Sequence, residues 1–303
     1  MQIPRPHFNY PPLTQDHNCL LFAGVAYRSQ WWDRLGLSLG LQKVDYRGVN
    51  QEPGQSPTRR ADQPWRYYGV ANIALSGKIS LYAGYTQGIE DSGAAPGEAL
   101  NRGQTLPSTR TWQRELGVQY SVTPKVKSVV GVFDVHKPYF NLDAVSKLYV
   151  DLATQEHWGL EFSLAGEIAK NLNLVVGLEL LNPKVQSNEL ATAPIGPPAV
   201  GQHSHLAVIN MDYKLPWMPA LSFDLAATSY GRSEANLTNT VAVPAAQSFD
   251  LGSRYSFNLG NTPASLRGFI LNAGNVYRWN VSDSGGFIAA PRRGFELYLT
   301  VDL

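Results

Sequence analysis

The sequence predicts an all-β fold: an antiparallel meander of about 13 long strands, of the kind that forms a transmembrane β-barrel. Three observations support it. Apolar and polar residues alternate with period two, the alternating segments run for about ten residues, and the connections between them are short and long in turn. The composition agrees, because the chain of 303 residues is 11% aromatic and holds 27 glycines and 20 prolines, a bias typical of strands joined by many turns.

Period-two alternation predicts the individual strands. In one segment Leu35, Leu37, Leu39 and Leu41 lie on one face and the intervening glycine, serine and glutamine residues on the other. Most segments are longer than the 5–6 residues usual for soluble sheets, and they match the length of a tilted membrane strand. The strands are predicted near 20–29, 34–46, 65–76, 79–88, 112–122, 126–136, 156–167, 172–182, 204–214, 221–230, 247–258, 264–276 and 293–303.

The connections fall into two classes that alternate along the chain. Tight links are predicted at 76–78, 123–125, 169–171 and 261–263, and long polar segments at 47–63, 88–111, 137–155, 182–202, 231–247 and 278–291. Short turns on one rim and long loops on the other are typical of outer-membrane barrels. Trp31, Trp32 and Trp217 fall at predicted short turns, where amphipathic rings suit a membrane interface.

Four residues and one segment bear on the assignment of faces. Phe269 takes the phase expected of the barrel lumen and Gly268 an outward place, the reverse of an ideal lipid-facing pattern. Glu161 and Asp134 are both assigned to the lumen face, where we expect them to form hydrogen bonds. In the first segment, 20–28, both phases are apolar, so that the sequence does not orient this strand.

Several protein classes are excluded. A formal net charge of +1 lacks the clustered cations of a nucleic-acid-binding protein. The single cysteine, Cys19, excludes an internal disulfide or a multi-cysteine zinc site. No run of about 18 apolar residues predicts a membrane helix, and no apolar segment near the start resembles an export signal. We therefore predict an irregular lead-in at 1–18 and one barrel portion at 19–303.

No enzyme motif is present. The sequence lacks a G-x-S-x-G elbow, a P-loop and an H-E-x-x-H pair. His203 and His205 lie two residues apart, a spacing that suits a metal, but no third ligand is evident and we expect histidines at a loop edge. We predict no catalytic residue, no metal site and no cofactor.

Three motifs in a fixed order carry a family resemblance. They are E-x-G-x-x-Y at 115–120, F-D-V-H-K-P-Y-F at 133–140 and H-x-G-x-E-x-S at 157–163. With the N-M-D-Y segment at 210–213 and W-N-V at 279–281, residues 112–303 resemble the barrel of TonB-dependent outer-membrane receptors, and the siderophore-receptor branch is the most similar. The earlier third resembles it only in strand pattern. The terminal residue, Leu303, departs from the family, which usually ends in phenylalanine.

The resemblance implies a part of a larger receptor. Complete members of the family have an export signal, an energy-coupling box, a plug domain and about 22 strands, so we expect this chain to be a barrel portion without the plug. It implies location in the bacterial outer membrane, contact with lipid, a ferric siderophore or similar chelate as ligand, and coupling to the TonB system only through a plug.

Ligand contacts are expected in the long loops and the upper lumen. Guanidinium groups attract an anionic chelate and aromatic rings pack against its apolar shell. The expected residues are Arg59, Arg60, Tyr67, Tyr139, Phe140, Trp279 and Arg292. Two alternatives stay open, a porin-like barrel without a plug and a non-functional remnant. An outer-membrane enzyme such as a phospholipase would need an exposed serine–histidine pair that the sequence does not show.

Overall fold

The computed structural model describes residues 12–192, 194–282 and 286–302, and the predicted closing residue Leu303 lies outside them. The described part contains 18 strands. They are β1 (Gln15–Trp31), β2 (Leu35–Gln51), β3 (Thr58–Asp62), β4 (Trp65–Ala74), β5 (Ile79–Glu90), β6 (Thr109–Thr123), β7 (Val126–Leu142), β8 (Tyr149–Ala169), β9 (Leu172–Ser187), β10 (His205–Lys214), β11 (Leu221–Tyr230), β12 (Ser233–Glu234), β13 (Ala242–Val243), β14 (Ala246–Leu259), β15 (Thr262–Leu271), β16 (Trp279–Val281), β17 (Phe287–Ala289) and β18 (Gly294–Val301).

Thirteen strands form one meander in chain order, which confirms the predicted all-β class and strand count. The order is β1-β2-β4-β5-β6-β7-β8-β9-β10-β11-β14-β15-β18, and β3 pairs with β2 at the side of this path. Neighbouring strands are antiparallel throughout. The strands β12-β13 and β16-β17 form two separate small hairpins. The first strand begins at Gln15, slightly before the predicted boundary at residue 19.

Several strands extend beyond their predicted ends. The strand β2 continues to Gln51, β7 to Leu142 and β9 to Ser187, and β8 begins at Tyr149. Part of each predicted loop is therefore paired with a neighbouring strand. Backbone pairing continues there although the regular alternation of apolar and polar residues does not, and a hydropathy pattern cannot detect a strand without a regular contrast between its faces.

The sheet has one apolar face and one polar face. In β2 the apolar face carries the four leucines at alternate positions from Leu35 to Leu41, and the register carries the same face across the sheet. The apolar side chains are exposed on every part of the sheet; examples are Leu39, Leu116, Val132, Trp158, Phe249, Leu251 and Leu297. They are therefore not enclosed between two stacked sheets, in contrast to the core of a soluble sandwich.

Register confirms the unusual phase of β15. Phe269 stands opposite Gly252 and Glu296, on the polar face, and Gly268 stands opposite Leu297 on the apolar face. Phe269 packs there against Arg267, whose guanidinium carbon lies 4.5 Å from the ring centroid. A cation–π contact with Arg267 therefore accommodates the Phe269 ring on the polar face.

The assignment of Asp134 to the lumen face was wrong. Glu161 does lie on the polar face, where the Tyr82 hydroxyl donates to it at 3.1 Å. Asp134, however, stands opposite Trp158 and Arg114 on the apolar face. Valines occur at both odd and even positions of β7, so the sequence of β7 does not show which positions face the lumen. Pairing with β6 and β8 determines this.

One rim of the sheet carries the short turns, which we call the turn rim. Trp32 and Asp33 have φ angles of 50° and 56°, and the Arg34 amide donates to the Trp31 carbonyl at 3.0 Å. Two central residues with positive φ are the geometry of a type I′ hairpin turn. Trp32 is 80% exposed and Trp217 76% exposed, so these indoles lie at this rim, as predicted.

Candidate functional site: the loop rim

Six long connections lie on the opposite rim, which we call the loop rim; the structure describes all of them except residue 193 and residues 283–285. They are L1 (52–64), L2 (91–108), L3 (143–148), L4 (188–204), L5 (231–245) and L6 (272–293). Neighbouring loops are joined by backbone hydrogen bonds. The Leu100 amide of L2 donates to Lys147 of L3 at 2.8 Å, and Gly196 of L4 donates to Leu237 of L5 at 2.7 Å. The loops therefore support one another as a layer above the strand ends.

The loop L2 covers the polar face of β2. Tyr46 has no exposed surface, and its hydroxyl donates to Asp91 at the start of L2 at 2.6 Å. The Thr58 hydroxyl lies 2.7 Å from that of Thr105. Arg102 donates to Glu52 of L1 at 2.7 Å. These contacts fold L2 over the strand ends instead of leaving it in solvent.

A small apolar core lies at the junction of L4 with the upper ends of β7, β8 and β9. Tyr139, Leu152, Ala153, Val185 and Ala199 are all buried in it. Ile195 and Leu237 pack against its edge. Burying apolar surface at this junction stabilises the loops, which their polar sequence alone would not.

A buried carboxylate links L3 to L4. The Thr192 hydroxyl donates to Asp143 at 2.6 Å, and the Ser146 amide donates to it at 3.4 Å. Asp143 is 1% exposed. The hydrogen bond from Thr192 lowers the pKa of Asp143 below its ordinary value, against the effect of burial.

Arginine and aromatic side chains form a cluster at the junction of L6 with the end of β11, which we call the L6 cluster. It contains Tyr230, Tyr277, Arg278, Trp279, Phe287 and Arg292. The rings of Tyr277 and Trp279 lie 5.5 Å apart, and those of Trp279 and Phe287 6.2 Å apart, both edge to face. This is the favoured arrangement of aromatic pairs.

Two arginines of the L6 cluster rest on tyrosine rings. The guanidinium carbon of Arg278 lies 3.8 Å from the centroid of Tyr230, and that of Arg292 lies 4.5 Å from the centroid of Tyr277. Tyr230 stands opposite Leu206 and Ala246 on the polar face. Arg278 is therefore held over the polar side of the sheet.

An open cavity of about 670 Å³ lies elsewhere, on the apolar face around Gly268, but the cavity beside the L6 cluster has the more varied chemistry. It measures about 560 Å³, within the range of small-molecule sites. Its lining combines residues 243–247, at the end of L5 and the start of β14, with Val276, Tyr277, Arg278 and Trp279 of L6. One charged group thus stands in a largely apolar and aromatic wall.

The sequence-predicted residues occupy different places. Trp279 and Arg292 come together in the L6 cluster through Tyr277. Tyr139 is only 3% exposed, inside the small core, and Phe140 lies half-buried beside it in β7.

The other three predicted residues lie towards the opposite end of the sheet. Tyr67 is on the apolar face, stacked on Tyr85 at 5.4 Å. Arg59 and Arg60 are exposed on β3, opposite Val49 and Gly48 of β2. The structure therefore does not gather the seven residues into one site.

The sequence reasoning missed Tyr230, Tyr277, Arg278 and Phe287. A local signal was available, because Tyr277, Arg278 and Trp279 are consecutive and place a cation between two rings. Nothing in the sequence placed Tyr230, more than 40 positions earlier, beneath Arg278. That contact depends on L6 folding back across β14.

The two histidines that the spacing singled out, His203 and His205, form local contacts. His203 Nδ1 lies 3.1 Å from the Gly231 carbonyl, and His205 Nε2 lies 3.3 Å from the Ser229 hydroxyl. Within residues 12–192, 194–282 and 286–302, no three His, Cys, Asp or Glu side chains come together as a metal site. The same residues include no helix with the length and apolar character needed to span a bilayer.

Fold and loop arrangement together define a portion of a large antiparallel barrel with its loops gathered on one rim. The chain belongs to the family described as TonB dependent receptor-like, β-barrel, whose model matches residues 9–277.

Individual relatives agree with this family. The chain is 25% identical to the ferrichrome receptor FcuA of Yersinia enterocolitica over 280 residues, which are 89% of this chain and 36% of that protein. Among solved structures, it is similar to BauA, the ferric preacinetobactin receptor of Acinetobacter baumannii, with a TM-score of 0.79 and 23% identity over 99% of this chain and 45% of that one. It is also similar to the siderophore receptor PiuA of the same species, with a TM-score of 0.72 and 16% identity over 94% and 43%. The chain thus spans less than half the length of these relatives.

Proposed function

We propose that the chain forms part of an outer-membrane receptor that binds a ferric siderophore at the loop rim and delivers it to the barrel lumen. The observation that carries this proposal is the L6 cluster, which places arginines and aromatic rings beside a cavity of about 560 Å³ above the polar face. Family membership supports the same role, since three relatives are named as receptors for siderophores or their ferric complexes.

Each face of the sheet has a role in this proposal. The apolar face contacts lipid, because its exposed Leu, Val and aromatic side chains gain most in a hydrocarbon environment. The polar face lines the lumen. Uptake then depends on the TonB system acting through a plug domain, which we propose as a partner. The chain acts as a receptor and not as an enzyme.

The test is binding of ferric siderophores to isolated outer membranes. The gene is deleted in the source bacterium, or altered so that L6 residues 276–290 are replaced by a short Gly-Ser linker. Radiolabelled iron complexed with hydroxamate and catecholate siderophores is then added without an energy source. We expect specific binding of at least one complex in the parent strain and none in either altered strain.

Two controls give the test its meaning. Immunoblots of outer-membrane fractions must show the L6-replaced protein at parental level. Ion conductance of the purified parent protein in planar bilayers, without any chelate binding, would favour the porin-like alternative. Absence of the protein from the outer membrane would favour the remnant.

A further inference from the structure

Several cations at or near the loop rim are paired with carboxylates. Arg102 pairs with Glu52, Arg110 with Asp62 and Arg232 with Glu234, all at 2.7–3.0 Å. Lys137 pairs with Glu90 and Arg47 with Asp45 in the same way. Carboxylates thus neutralise these five cations.

Arg278 and Arg292 have no such carboxylate partner in the described part of L6 or elsewhere among the described residues. Each guanidinium lies on a tyrosine ring at 3.8 or 4.5 Å, and neither forms a salt bridge with a carboxylate of the described residues. A ring orients a cation through its quadrupole but leaves the positive charge and the N–H donors available. Among the residues that the structure describes, the two guanidinium groups are therefore oriented by aromatic rings and not paired with a carboxylate.

Position and charge point to the same kind of ligand. Arg278 lines the cavity of about 560 Å³ beside Tyr277 and Trp279. An anionic ligand entering it would gain charge-assisted hydrogen bonds from a guanidinium that is already oriented, so less side-chain entropy is lost on binding. Planar rings on the ligand would stack against the aromatic wall.

We propose that the L6 cluster selects a ferric chelate of net negative charge with aromatic groups, and that Arg278 and Arg292 set this preference. The inference rests on the proposed receptor function and concerns the class of ligand. A ferric tris-catecholate fits, because three doubly charged catecholates around Fe³⁺ leave a trianion. A ferric trihydroxamate does not, because three singly charged hydroxamates leave a neutral complex.

The experiment compares these two chelate classes as probes. The substitutions Arg278→Gln and Arg292→Gln are introduced into the gene, so that the protein is tested as the cell makes it. The matched control is Arg47→Gln, because Arg47 is a cation paired with a carboxylate. Binding of the radiolabelled trianionic ferric tris-catecholate and of neutral ferrichrome to isolated outer membranes is measured at low and high salt.

We expect the parent protein to bind the trianion at least tenfold more tightly than the neutral chelate. Each of the Arg278 and Arg292 variants should weaken trianion binding about tenfold and leave binding of the neutral chelate within about twofold. High salt should reduce binding of the trianion only. Arg47→Gln should leave both affinities within about twofold, and Arg278→Lys should retain part of the preference because the charge remains.

Three results would overturn the inference. Equal or tighter binding of the neutral chelate by the parent would reject charge selection while keeping the receptor function. Equal losses for both chelates in the Arg278 and Arg292 variants would assign these residues to loop structure. Binding of neither chelate by the parent would contradict the receptor function, and this inference with it.

Discussion

Asp143 illustrates how a single residue stabilises the loop rim. Its carboxylate lies just beyond the end of β7 and accepts hydrogen bonds from L3 and L4 together. The ionised form is favoured by these donors, which is why the pKa of Asp143 is lowered. A group with a lowered folded-state pKa stabilises the structure above its unfolded pKa of about 3.9 and loses that contribution as pH falls through the folded value.

We therefore predict an acid-sensitive junction between L3 and L4. As pH falls from about 5 towards the lowered pKa of Asp143, the amides of L4 residues 188–192 should lose protection relative to their intrinsic exchange rate at each pH, while those of β8 and β9 stay protected. In Asp143→Asn the same amides should be less protected at neutral pH, and their protection should respond little to acid. Hydrogen exchange read by mass spectrometry on the purified protein measures both effects.

Glu98→Gln is the matched control, because Glu98 is an exposed loop carboxylate of L2. It should keep the parental response to pH. An unchanged acid response in Asp143→Asn would show that another group governs the junction.

Gly166 shows how one position constrains a whole element. It lies in β8 at a φ of +145°, and a Cβ there would stand 1.9 Å from the Lys125 carbonyl oxygen in the turn between β6 and β7. Only a residue without a side chain allows this close approach at this φ. Gly166 therefore allows the turn-rim end of β8 to pack directly against the turn between β6 and β7.

We predict that Gly166→Ala destabilises the protein by about 1–3 kcal/mol, through backbone strain and displacement of the turn. Gly77→Ala is the matched control: Gly77 also lies in a turn-rim connection, but nothing stands within 4 Å of the place that its new methyl group would take. Urea unfolding of the purified protein in detergent micelles gives both free energies. Equal midpoints for the two variants would contradict the prediction.

At the scale of the whole molecule, the two end strands decide how the barrel closes. The strand β1 runs into the turn at Trp32 and β18 follows L6, so both run from the loop rim towards the turn rim. Each has one paired neighbour in the main sheet. Direct pairing of β1 with β18 would be parallel, whereas an all-antiparallel barrel needs an odd number of further strands between them. Unpaired edges in hydrocarbon cost several kcal/mol per group.

We predict that the sheet does not close on itself. Cys19 of β1 is the only cysteine of the chain and stands opposite Arg47 of β2, so Arg47→Cys should form a disulfide with it under mild oxidation. Phe295→Cys in β18 should not cross-link with Cys19. Non-reducing electrophoresis and mass spectrometry of the purified protein separate the products; efficient linkage in the Phe295→Cys variant would establish a small closed barrel instead.

The sequence by itself determined the all-β class, the 13-strand meander, the alternation of short turns and long loops, and the family resemblance. It did so because period-two hydropathy and turn residues are local signals. Even the reversed phase of Phe269 and Gly268 could be read from it.

Only the tertiary structure decided the face of Asp134, the burial of Tyr139, the extension of the strands into the predicted loops and the contact of Arg278 with Tyr230. Each depends on groups distant in sequence, through strand register or through loops folding over one another. The hydropathy pattern of one segment contains no information about such partners, because strand pairing and side-chain packing depend on two or more segments together.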